Sequence, residues 1–390
     1  MRKKMETNAI RTQMERSQYL EHSTPLHLTS SFVFEDAEDM RASFAEEKER
    51  NIYSRFTNPN TSEFVQKVAH MEGAEDGVSF ATGMGAIFGT FAALLESGDH
   101  VVSARSIFGS THTLFTKYLP KWNIQTSYFK VEELDSIEGL IQSNTKILYA
   151  ETPTNPGIDI LDLELLGKLA KKHNLILIID NCFATPYLQK PIKYGADLVI
   201  HSATKLIDGQ GRVLGGITVG NSKLIREIYL FARNSGSALS PFNAWILSKS
   251  METLVVRVDR HCQTAQTIAD FLEGQSKINW VKYPFLKSHP QYKLAKKQMS
   301  KGGSIIAFEV KGGLETGQNF LNALDMLSLS SNLGDSRSII THPASTTHSK
   351  LSEADRLEVG ISDGMIRLSV GLEHSEDIKN DLKKALDTIK

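Results

Sequence analysis

Side chains that can do chemistry follow directly after short apolar runs of this sequence. One apolar run ends in Asp180, and the next run along the chain is followed by Ser202, Thr204 and Lys205. Ligands of open parallel sheets bind beyond the carboxyl ends of the strands, so residues that follow buried strands tend to share a site. A lysine amine is a nucleophile, and an aspartate carboxylate can stabilise a positive charge on a ligand. The sequence therefore predicts that an amine and an acid act on one ligand.

An anion site is predicted close to these groups. Residues 81–85 (Ala-Thr-Gly-Met-Gly) open a predicted helix with small residues that leave its first N–H groups free, and such a helix N-terminus suits a phosphate. A lysine, an acid, hydroxyls and an anion site together are what pyridoxal phosphate (PLP) requires. The lysine forms an imine with the aldehyde, and the acid keeps the pyridine nitrogen protonated so that the ring accepts electrons from a substrate carbanion.

Each of these residues also has an ordinary structural interpretation. A lysine at a strand end is often a solvated charge, and an aspartate there is often a helix N-cap. The pairs Gly83/Gly85 and Gly209/Gly211 suggest a dinucleotide site, but the next glycine comes one position too late for G-x-G-x-x-G in both cases. The coincidence of amine, acid, hydroxyls and anion site favours the PLP interpretation.

The elements that must position these residues alternate between short β-rich runs and amphipathic helical stretches. The predicted strands are 100–104, 146–151, 175–180, 197–202 and 216–219. The predicted helices between them are 84–96, 111–119, 161–173 and 185–194. Strands buried on both faces and joined by helical crossovers indicate an α/β fold with a mainly parallel sheet.

The pattern changes on both sides of this region, which predicts three parts. Residues 1–56 lack sustained periodicity, with one charged helical stretch around 35–50, and form a predicted extended arm. Residues 57–243 form the large α/β domain, and residues 244–390 a smaller α+β domain. Its predicted helices are 244–272, 315–324 and 374–389, and its predicted strands are 304–310 and 366–370.

Composition excludes several classes of protein. The 390 residues carry 44 Lys+Arg and 45 Asp+Glu, so no net charge attracts nucleic acid or an anionic membrane. Apolar runs are far shorter than the roughly 20 residues of a membrane span. Cys182 and Cys262 lack a disulfide or metal-ligand spacing, and His342 and His348 have no third ligand spaced with them. We expect a cytoplasmic protein without a metal, acting on small molecules.

Six ordered motifs closely resemble those of the Cys/Met-metabolism family of PLP enzymes. They are YSRFTNP at 53–59, ATGMGA at 81–86, ETPTNP at 151–156, IIDNCFATP at 178–186, GADLVIHSATK at 195–205 and IRLSVGLE at 366–373. The resemblance covers nearly the whole chain. It implies the aspartate-aminotransferase-like fold (fold type I), with an N-terminal arm, a large cofactor domain and a small C-terminal domain. It also implies a homotetramer built as a dimer of dimers.

The resemblance assigns the residues that hold the cofactor. Lys205 carries PLP covalently and, once substrate displaces it, carries protons. Asp180 pairs with the pyridinium nitrogen. The phosphate receives mainly neutral donors, which are the N–H groups of Gly83 and Met84 and the hydroxyls of Ser202 and Thr204.

Further roles follow from the same resemblance. Tyr53 and Arg55 reach across a dimer interface to the phosphate of the neighbouring subunit, so that a monomer has an incomplete site. Asn155 lies near the ring oxygen of the cofactor. Arg367 grips the substrate α-carboxylate through a bidentate fork that lysine cannot copy, and Asn332 also faces the substrate.

Two departures from the family pattern bear on the reaction. Phe108 replaces a tyrosine that lies over the cofactor ring in lyases and many cystathionine synthases, and it can stack on the ring but cannot transfer a proton. Asn332 replaces a serine that is usual in lyases. With IDGQGR at 207–212 and THPASTTH at 341–348, these features resemble the homoserine-ester sulfhydrylases most closely.

The resemblance thus implies γ-replacement in methionine biosynthesis, in which O-succinylhomoserine or O-acetylhomoserine reacts with sulfide to give homocysteine and succinate or acetate. Protein groups orient the substrate and transfer protons. Cystathionine γ-synthase and methionine γ-lyase are the alternatives, since they share the cofactor residues. A non-enzymatic α/β binding protein would not need Lys205 and Asp180 together. A cation such as Arg212 is a candidate partner for a free succinyl carboxylate.

Overall fold

The computed structural model describes residues 3–350 and 352–389, which form two β-sheets with helices packed on them. The large sheet consists of β1 (Asp76–Phe80), β2 (His100–Ala104), β3 (Gln125–Phe129), β4 (Thr145–Glu151), β5 (Ile176–Asp180), β6 (Leu198–Ser202) and β7 (Gly216–Gly220). The small sheet consists of β8 (Ile278–Lys282), β9 (Ile305–Val310), β10 (Ser328–Leu329), β11 (Ile339–Thr341) and β12 (Met365–Ser369).

The large sheet has the strand order β1-β7-β6-β5-β4-β2-β3, and β7 alone runs against the others. The carboxyl ends of the remaining strands therefore meet at one edge. This confirms the predicted α/β fold with a mainly parallel sheet. The sequence analysis missed β1 and β3, which are the two edge strands. Both are partly exposed along their length, so neither shows the continuous apolar run of a buried strand.

The helices cover both faces of the large sheet and one side of the small one. The α-helices are α1 (Met5–Arg11), α2 (Ala37–Phe44), α3 (Pro59–Glu72), α4 (Gly83–Leu94), α5 (Gly109–Thr113), α6 (Ile137–Leu140), α7 (Leu163–His173), α8 (Thr185–Leu188), α9 (Ser222–Ser235), α10 (Pro241–Met251), α11 (Leu254–Glu273), α12 (Tyr292–Gln298), α13 (Gly313–Asn322), α14 (Glu353–Glu358) and α15 (Ser375–Asp387). Within the described ranges, none of them has both the length and the apolar character needed to cross a membrane.

One predicted helix is divided before a proline, whereas another is longer than predicted and ends in a turn that contains a proline. The helix predicted over 185–194 is α8 followed by a separate 3₁₀ turn, Pro191–Tyr194. The helix predicted over 111–119 lies within α5 and a π-turn, Leu114–Tyr118, and leads into a 3₁₀ turn, Leu119–Trp122, that contains Pro120. Proline lacks the N–H that would continue the helical hydrogen bonding.

The long helical stretch predicted over 244–272 consists of two helices, α10 and α11, with a break between them. Thr253 leaves the helical conformation (φ −111°, ψ 5°). The break is stabilised by the buried side chain of Arg257, whose guanidinium donates to the backbone oxygen of Ser250 at 3.0 Å. It also donates to the backbone oxygens of Leu206 and Ile207 at 2.9 and 3.2 Å. Arg257 thus holds the loop that carries Lys205 against the start of α11.

Helix α11 belongs to two hydrophobic cores. Leu254 and Val258 in its first half pack into the core of the large sheet, whereas Ile268 and Leu272 in its second half pack into the core of the small sheet. The predicted domain boundary between residues 243 and 244 falls within α10 and stays a prediction. Residues 1, 2, 351 and 390 of the predicted domains lie outside the described residues.

The arm, predicted to be extended, contains two short helices, α1 and α2, and little other regular structure. Its first part is attached to α3 through the buried carboxylate of Glu63. This carboxylate accepts hydrogen bonds from the Met14 N–H at 3.0 Å and the Thr24 hydroxyl at 2.7 Å. Lys67, one turn later and fully buried, pairs with it at 3.1 Å. The arm is therefore docked onto α3 by hydrogen bonds to a buried carboxylate that is itself paired with Lys67.

Candidate active site

The ends of three parallel strands meet at the carboxyl edge of the large sheet. Glu151 at the end of β4 lies opposite Asp180 at the end of β5, and Asp180 lies opposite Ile200 in β6. Because side chains alternate along a strand, Ser202 projects from the same face as these residues. The acid and the hydroxyl at the ends of neighbouring strands therefore project from the same face of the sheet at its carboxyl edge.

The two carboxyl groups at this edge are buried. Asp180 is 7% exposed and Glu151 is 4% exposed. An Asp180 oxygen accepts the N–H of Cys182 at 3.0 Å, and a Glu151 oxygen accepts the N–H of Phe108 at 2.7 Å. Burial raises the pKa of Asp180 to about 6. Burial also raises the pKa of Glu151 well above its usual range, and the charge of Asp180 adds to this rise. A ligand that brings a cationic N–H to Asp180 relieves this cost.

A compact cradle forms where α4 begins. The Thr82 hydroxyl caps the helix by accepting the N–H of Gly85 at 2.9 Å, while the N–H groups of Gly83 and Met84 precede any intrahelical acceptor. A side chain at Gly83 would lie 2.6 Å from the Ser202 Cβ, and one at Gly216 would lie 2.0 Å from the Thr82 carbonyl oxygen. Only glycine lets the backbone approach this closely, which leaves free N–H groups beside a hydroxyl.

Thr204 is engaged with the backbone of its own loop. Its hydroxyl accepts the N–H of Gly215 at 3.1 Å and donates to the carbonyl oxygen of the same residue at 3.3 Å. This pair of hydrogen bonds holds the turn between β6 and β7. The predicted bond from Thr204 to a phosphate stays a prediction.

Lys205 enters the site from that turn. Its ammonium donates a hydrogen bond to the side-chain oxygen of Asn332 at 2.5 Å. Burial lowers the pKa of Lys205, and the nearby positive charge of Arg367 lowers it further. A lysine with a depressed pKa is closer to its neutral, nucleophilic form.

Arg367, in β12 of the small sheet, closes the site from the opposite side. It is 6% exposed. Its guanidinium donates to the Asn155 side-chain oxygen at 3.0 Å and to the backbone oxygens of Ser331 and Asn332, each at 3.1 Å. Its Nε, although buried, has no hydrogen-bond partner among the described residues. Burial lowers the pKa of Arg367 to about 10. This guanidinium is fixed in place and retains a donor for an anionic ligand.

Comparison with known proteins identifies this arrangement. A model of the Cys/Met metabolism PLP-dependent enzymes matches residues 6–387. This chain belongs to that family. It is 44% identical over 381 residues to an O-succinylhomoserine sulfhydrylase of Pseudomonas aeruginosa, covering 98% of this chain and 94% of the relative. It is 41% identical over 386 residues to an L-methionine gamma-lyase of Fusobacterium nucleatum, with 98% of both chains covered.

A solved structure of the same family has the same fold. The Campylobacter jejuni protein, described as an O-acetylhomoserine (thiol)-lyase, has a TM-score of 0.95 and 35% identity, and the match covers 98% of this chain and 100% of that one. A lysine of that protein carries a pyridoxyl 5′-monophosphate group. The fold predicted from the family resemblance is therefore confirmed, and the protein is a PLP-dependent enzyme.

The residues at the carboxyl edge fit the cofactor of this family. The glycine-lined cradle at Gly83 offers free N–H groups to an anion, and Asp180 is a buried acid on the same face of the sheet. Lys205 projects into the same space with a depressed pKa. An anion site, an acid and an amine are the three contacts that PLP needs.

Three predicted cofactor residues lie outside this cluster. The Phe108 ring is 43% exposed, although the backbone of the residue is tied to Glu151. Tyr53 and Arg55 lie on the exposed surface of the arm, and the Arg55 guanidinium donates to the backbone oxygen of Arg233. In the described ranges, no hydrogen bond or ring contact joins Tyr53 or Arg55 to Gly83, Asp180 or Lys205. Their action on a neighbouring subunit stays a prediction.

The remaining candidates already have protein partners. His342 bonds to the Ser345 hydroxyl at 2.8 Å and the Asp363 carbonyl oxygen at 2.6 Å. Arg212 forms an ion pair with the buried carboxylate of Asp208 at 2.9 Å. Over residues 3–350 and 352–389, no group of three or more His, Cys, Asp or Glu side chains is arranged to hold a metal.

Glu151 is the site residue that the sequence analysis missed. It stands in the ETPTNP motif at the end of a predicted strand, in the same kind of position as Asp180. That shared position was the available signal, but the sheet register was needed to show that the two carboxyls face each other.

Proposed function

We propose that this enzyme is an O-succinylhomoserine sulfhydrylase. The Cγ–O bond of the substrate breaks, and its electron pair leaves with succinate. Hydrosulfide forms a new Cγ–S bond, so that O-succinylhomoserine and HS⁻ give homocysteine and succinate. The sulfhydrylase of P. aeruginosa, at 44% identity over nearly the whole chain, supports this substrate.

The observation that carries the proposal is the double role of Asn332. Its side chain accepts the ammonium of Lys205, and its backbone carbonyl accepts the guanidinium of Arg367. One residue therefore sets the distance between the group that moves protons and the group that binds the substrate carboxylate. This arrangement suits chemistry at the carbons next to an amino acid α-carboxylate.

We assign the following roles at the cofactor. The N–H groups of Gly83 and Met84, with the Ser202 and Thr204 hydroxyls, hold the phosphate, and Asp180 holds the ring nitrogen. Bound PLP supplies an electron sink that makes the Cα and Cβ protons of the substrate acidic. Lys205, the attachment residue, removes and returns those protons.

The substrate is oriented by the small domain. Arg367 holds its α-carboxylate in a fork, and its amide partner Asn155 fixes the plane of that fork. Burial of the Lys205 side chain lowers the pKa of its amine, which makes the neutral form that accepts a proton easier to reach.

Phe108 favours replacement over elimination. A carboxylate leaves from Cγ without a proton, whereas the thiolate of a thioether leaves poorly unless a proton donor assists it. Phe108, whose backbone N–H is bonded to Glu151 at the edge of the sheet, has no hydroxyl to donate. The enzyme is therefore matched to an ester substrate.

Methionine γ-lyase is the second candidate, because the F. nucleatum lyase is 41% identical. Steady-state assays with O-succinylhomoserine, O-acetylhomoserine and methionine separate the candidates, each with sulfide, with cysteine and with no added nucleophile. We expect the highest kcat/KM for O-succinylhomoserine with sulfide. Faster release of methanethiol from methionine would overturn the proposal, and a preference for the acetyl ester or for cysteine would change the substrate pair.

We further propose that the protein acts in the cytoplasm as a homotetramer built as a dimer of dimers. The arm, residues 1–56, exposes Tyr19, Leu20 and Val33 by 83%, 76% and 89%, and this supports burial against another subunit. The thiols of Cys182 and Cys262 are free, which suits a reducing compartment. Sedimentation velocity of the purified protein tests the assembly.

A further inference from the structure

Glu151 is a buried carboxylate at the centre of the site to which none of the roles above applies. It is 4% exposed and lies directly opposite Asp180 in the sheet. Burial of a carboxyl beside a second carboxyl is costly. We therefore expect contacts of Glu151 that offset the free-energy cost of burying it at the carboxyl edge of the sheet.

The contacts of Glu151 join two loops that follow different strands. One oxygen accepts the N–H of Phe108, which follows β2, at 2.7 Å. The backbone of Asn155, which follows β4, lies near the same carboxyl group and lowers its pKa. The Asn155 side chain in turn accepts the guanidinium of Arg367 at 3.0 Å. Glu151 therefore lies between the loop of Phe108 and Asn155, the side-chain partner of Arg367.

We propose that Glu151 is a positioning residue that holds Phe108 over the cofactor ring and holds Asn155 beneath the Arg367 fork. This inference rests on the proposed roles of Phe108 and Arg367. Phe108 begins α5 as its N-cap residue, and its side chain cannot cap the helix. The bond to Glu151 is thus a direct restraint on the backbone from which the exposed ring projects. One carboxyl group can hold two N–H groups because it has two oxygen atoms that accept hydrogen bonds.

A matched control lies in the small domain. Asp381 is a buried carboxylate, 7% exposed, that accepts the N–H groups of Asp325, Met326 and Leu327 at 2.8, 3.0 and 3.0 Å. It anchors a loop in the same way as Glu151 but contacts no residue of the site. Asp381→Asn therefore reports the cost of weakening a buried loop anchor in general.

The test compares holoenzymes carrying Glu151→Gln and Asp381→Asn. The glutamine keeps the size of the side chain but presents an NH₂ group to one of the two N–H donors. We expect Glu151→Gln to lose most of the visible circular dichroism of the bound cofactor, relative to its absorbance. We also expect it to raise KM for the acylhomoserine about tenfold with a smaller change in kcat. Asp381→Asn should lower thermal stability but leave unchanged both the visible circular dichroism of the cofactor and KM for the acylhomoserine.

A double variant tests the route through Phe108. If Glu151 acts on the ring through Phe108, then Phe108→Ala and Phe108→Ala/Glu151→Gln should show the same circular dichroism. Additive losses would overturn this route, as would equal dichroism in Glu151→Gln and the unmodified enzyme. Should Glu151→Gln fail to fold, Glu151→Asp, whose shorter carboxylate reaches only one loop, should show an intermediate loss. The dichroism needs no turnover, so failure of this inference is distinct from failure of the proposed reaction.

Discussion

The ammonium of Lys205 donates a hydrogen bond at 2.5 Å to the side-chain oxygen of Asn332, a residue 127 positions later in the chain. This bond joins the large and small sheets across the candidate active site. A hydrogen bond to a charged group typically contributes about 1.5–3 kcal/mol. Asn332 is therefore expected to control where the Lys205 amine rests when it is not bonded to the cofactor.

Asn332→Ala should lower kcat for sulfhydrylation roughly 10- to 100-fold, because the proton carrier loses its acceptor. The pH profile of kcat should shift as well, since the pKa of the free amine depends on this contact. Ser331→Ala, at the neighbouring exposed residue, is the control and should retain activity, because it keeps the backbone oxygen that accepts from Arg367. Unchanged kcat and pH profile in Asn332→Ala would show that the bond does not operate during turnover.

Lys205 should carry the cofactor. Borohydride reduction followed by peptide mapping should label the peptide that contains Lys205, and Lys205→Ala should lose turnover, because both attachment and proton transfer depend on its amine. The variant should remain folded by far-ultraviolet circular dichroism, since the Lys205 side chain donates a single hydrogen bond among the described residues. Label on a different lysine would contradict the site assignment.

Arg55 and Lys205 should complement each other between subunits. Arg55→Ala and Lys205→Ala damage different parts of a shared site, so mixed dimers of these two inactive variants contain one intact site. Mixing them under conditions of subunit exchange should restore part of the activity. Exchange demonstrated by mass spectrometry without any recovery would show that Arg55 serves only its own protomer.

Phe108→Tyr should raise thioether cleavage more than sulfhydrylation. A tyrosine over the site can assist departure of a thiolate, and general acid–base groups typically contribute 10²–10⁴-fold in rate. The measurement is kcat/KM for methanethiol release from methionine beside kcat/KM for homocysteine formation. Phe108→Leu is the control, because it changes the ring without adding a hydroxyl. Cleavage of methionine or cystathionine by the unmodified enzyme at least as efficient as its sulfhydrylation would favour the lyase function instead.

Asp180 should make the cofactor-free protein less stable as the pH rises. Burial raises its pKa from 3.8 to about 6, so the folded state binds this proton more tightly than the unfolded chain. The contribution of Asp180 to the free energy of unfolding therefore falls as the pH rises from about 4 to about 6, by about 3 kcal/mol in all.

Denaturant unfolding of the cofactor-free protein and of Asp180→Asn from pH 4 to pH 7.5 checks this expectation. The difference between the two curves is the relevant quantity, because other groups titrate in the same window. Burial lowers the pKa of His261 to about 4, which destabilises the fold as the pH falls. Parallel curves for the two proteins would show that Asp180 is already ionised in the cofactor-free fold.

The acid, the hydroxyl and the amine of the site can be located from the chain alone. Asp180, Ser202 and Lys205 follow apolar runs that are long enough to be buried strands, and a buried strand places the next polar residue at the edge of the sheet. The parallel arrangement follows from the same alternation of strands and helices. Strand positions and the polar residues that follow them depend on residues close together in the chain, and hydrophobic periodicity reports such residues well. The edge strands β1 and β3 were not predicted, because they are partly exposed to solvent and lack a continuous apolar run.

The partners of these residues come from distant parts of the chain. Asn332, in the loop before β11, meets Lys205 across 127 positions of the chain. Arg367 meets Asn155 across 212 positions. The opposition of Glu151 and Asp180 depends on strand register, and a shift of one residue would send one of them to the other face. Periodicity reports which residues are buried but not which buried residues meet. Packing between segments far apart in sequence settles those contacts, and with them the pKa values and the geometry of the site.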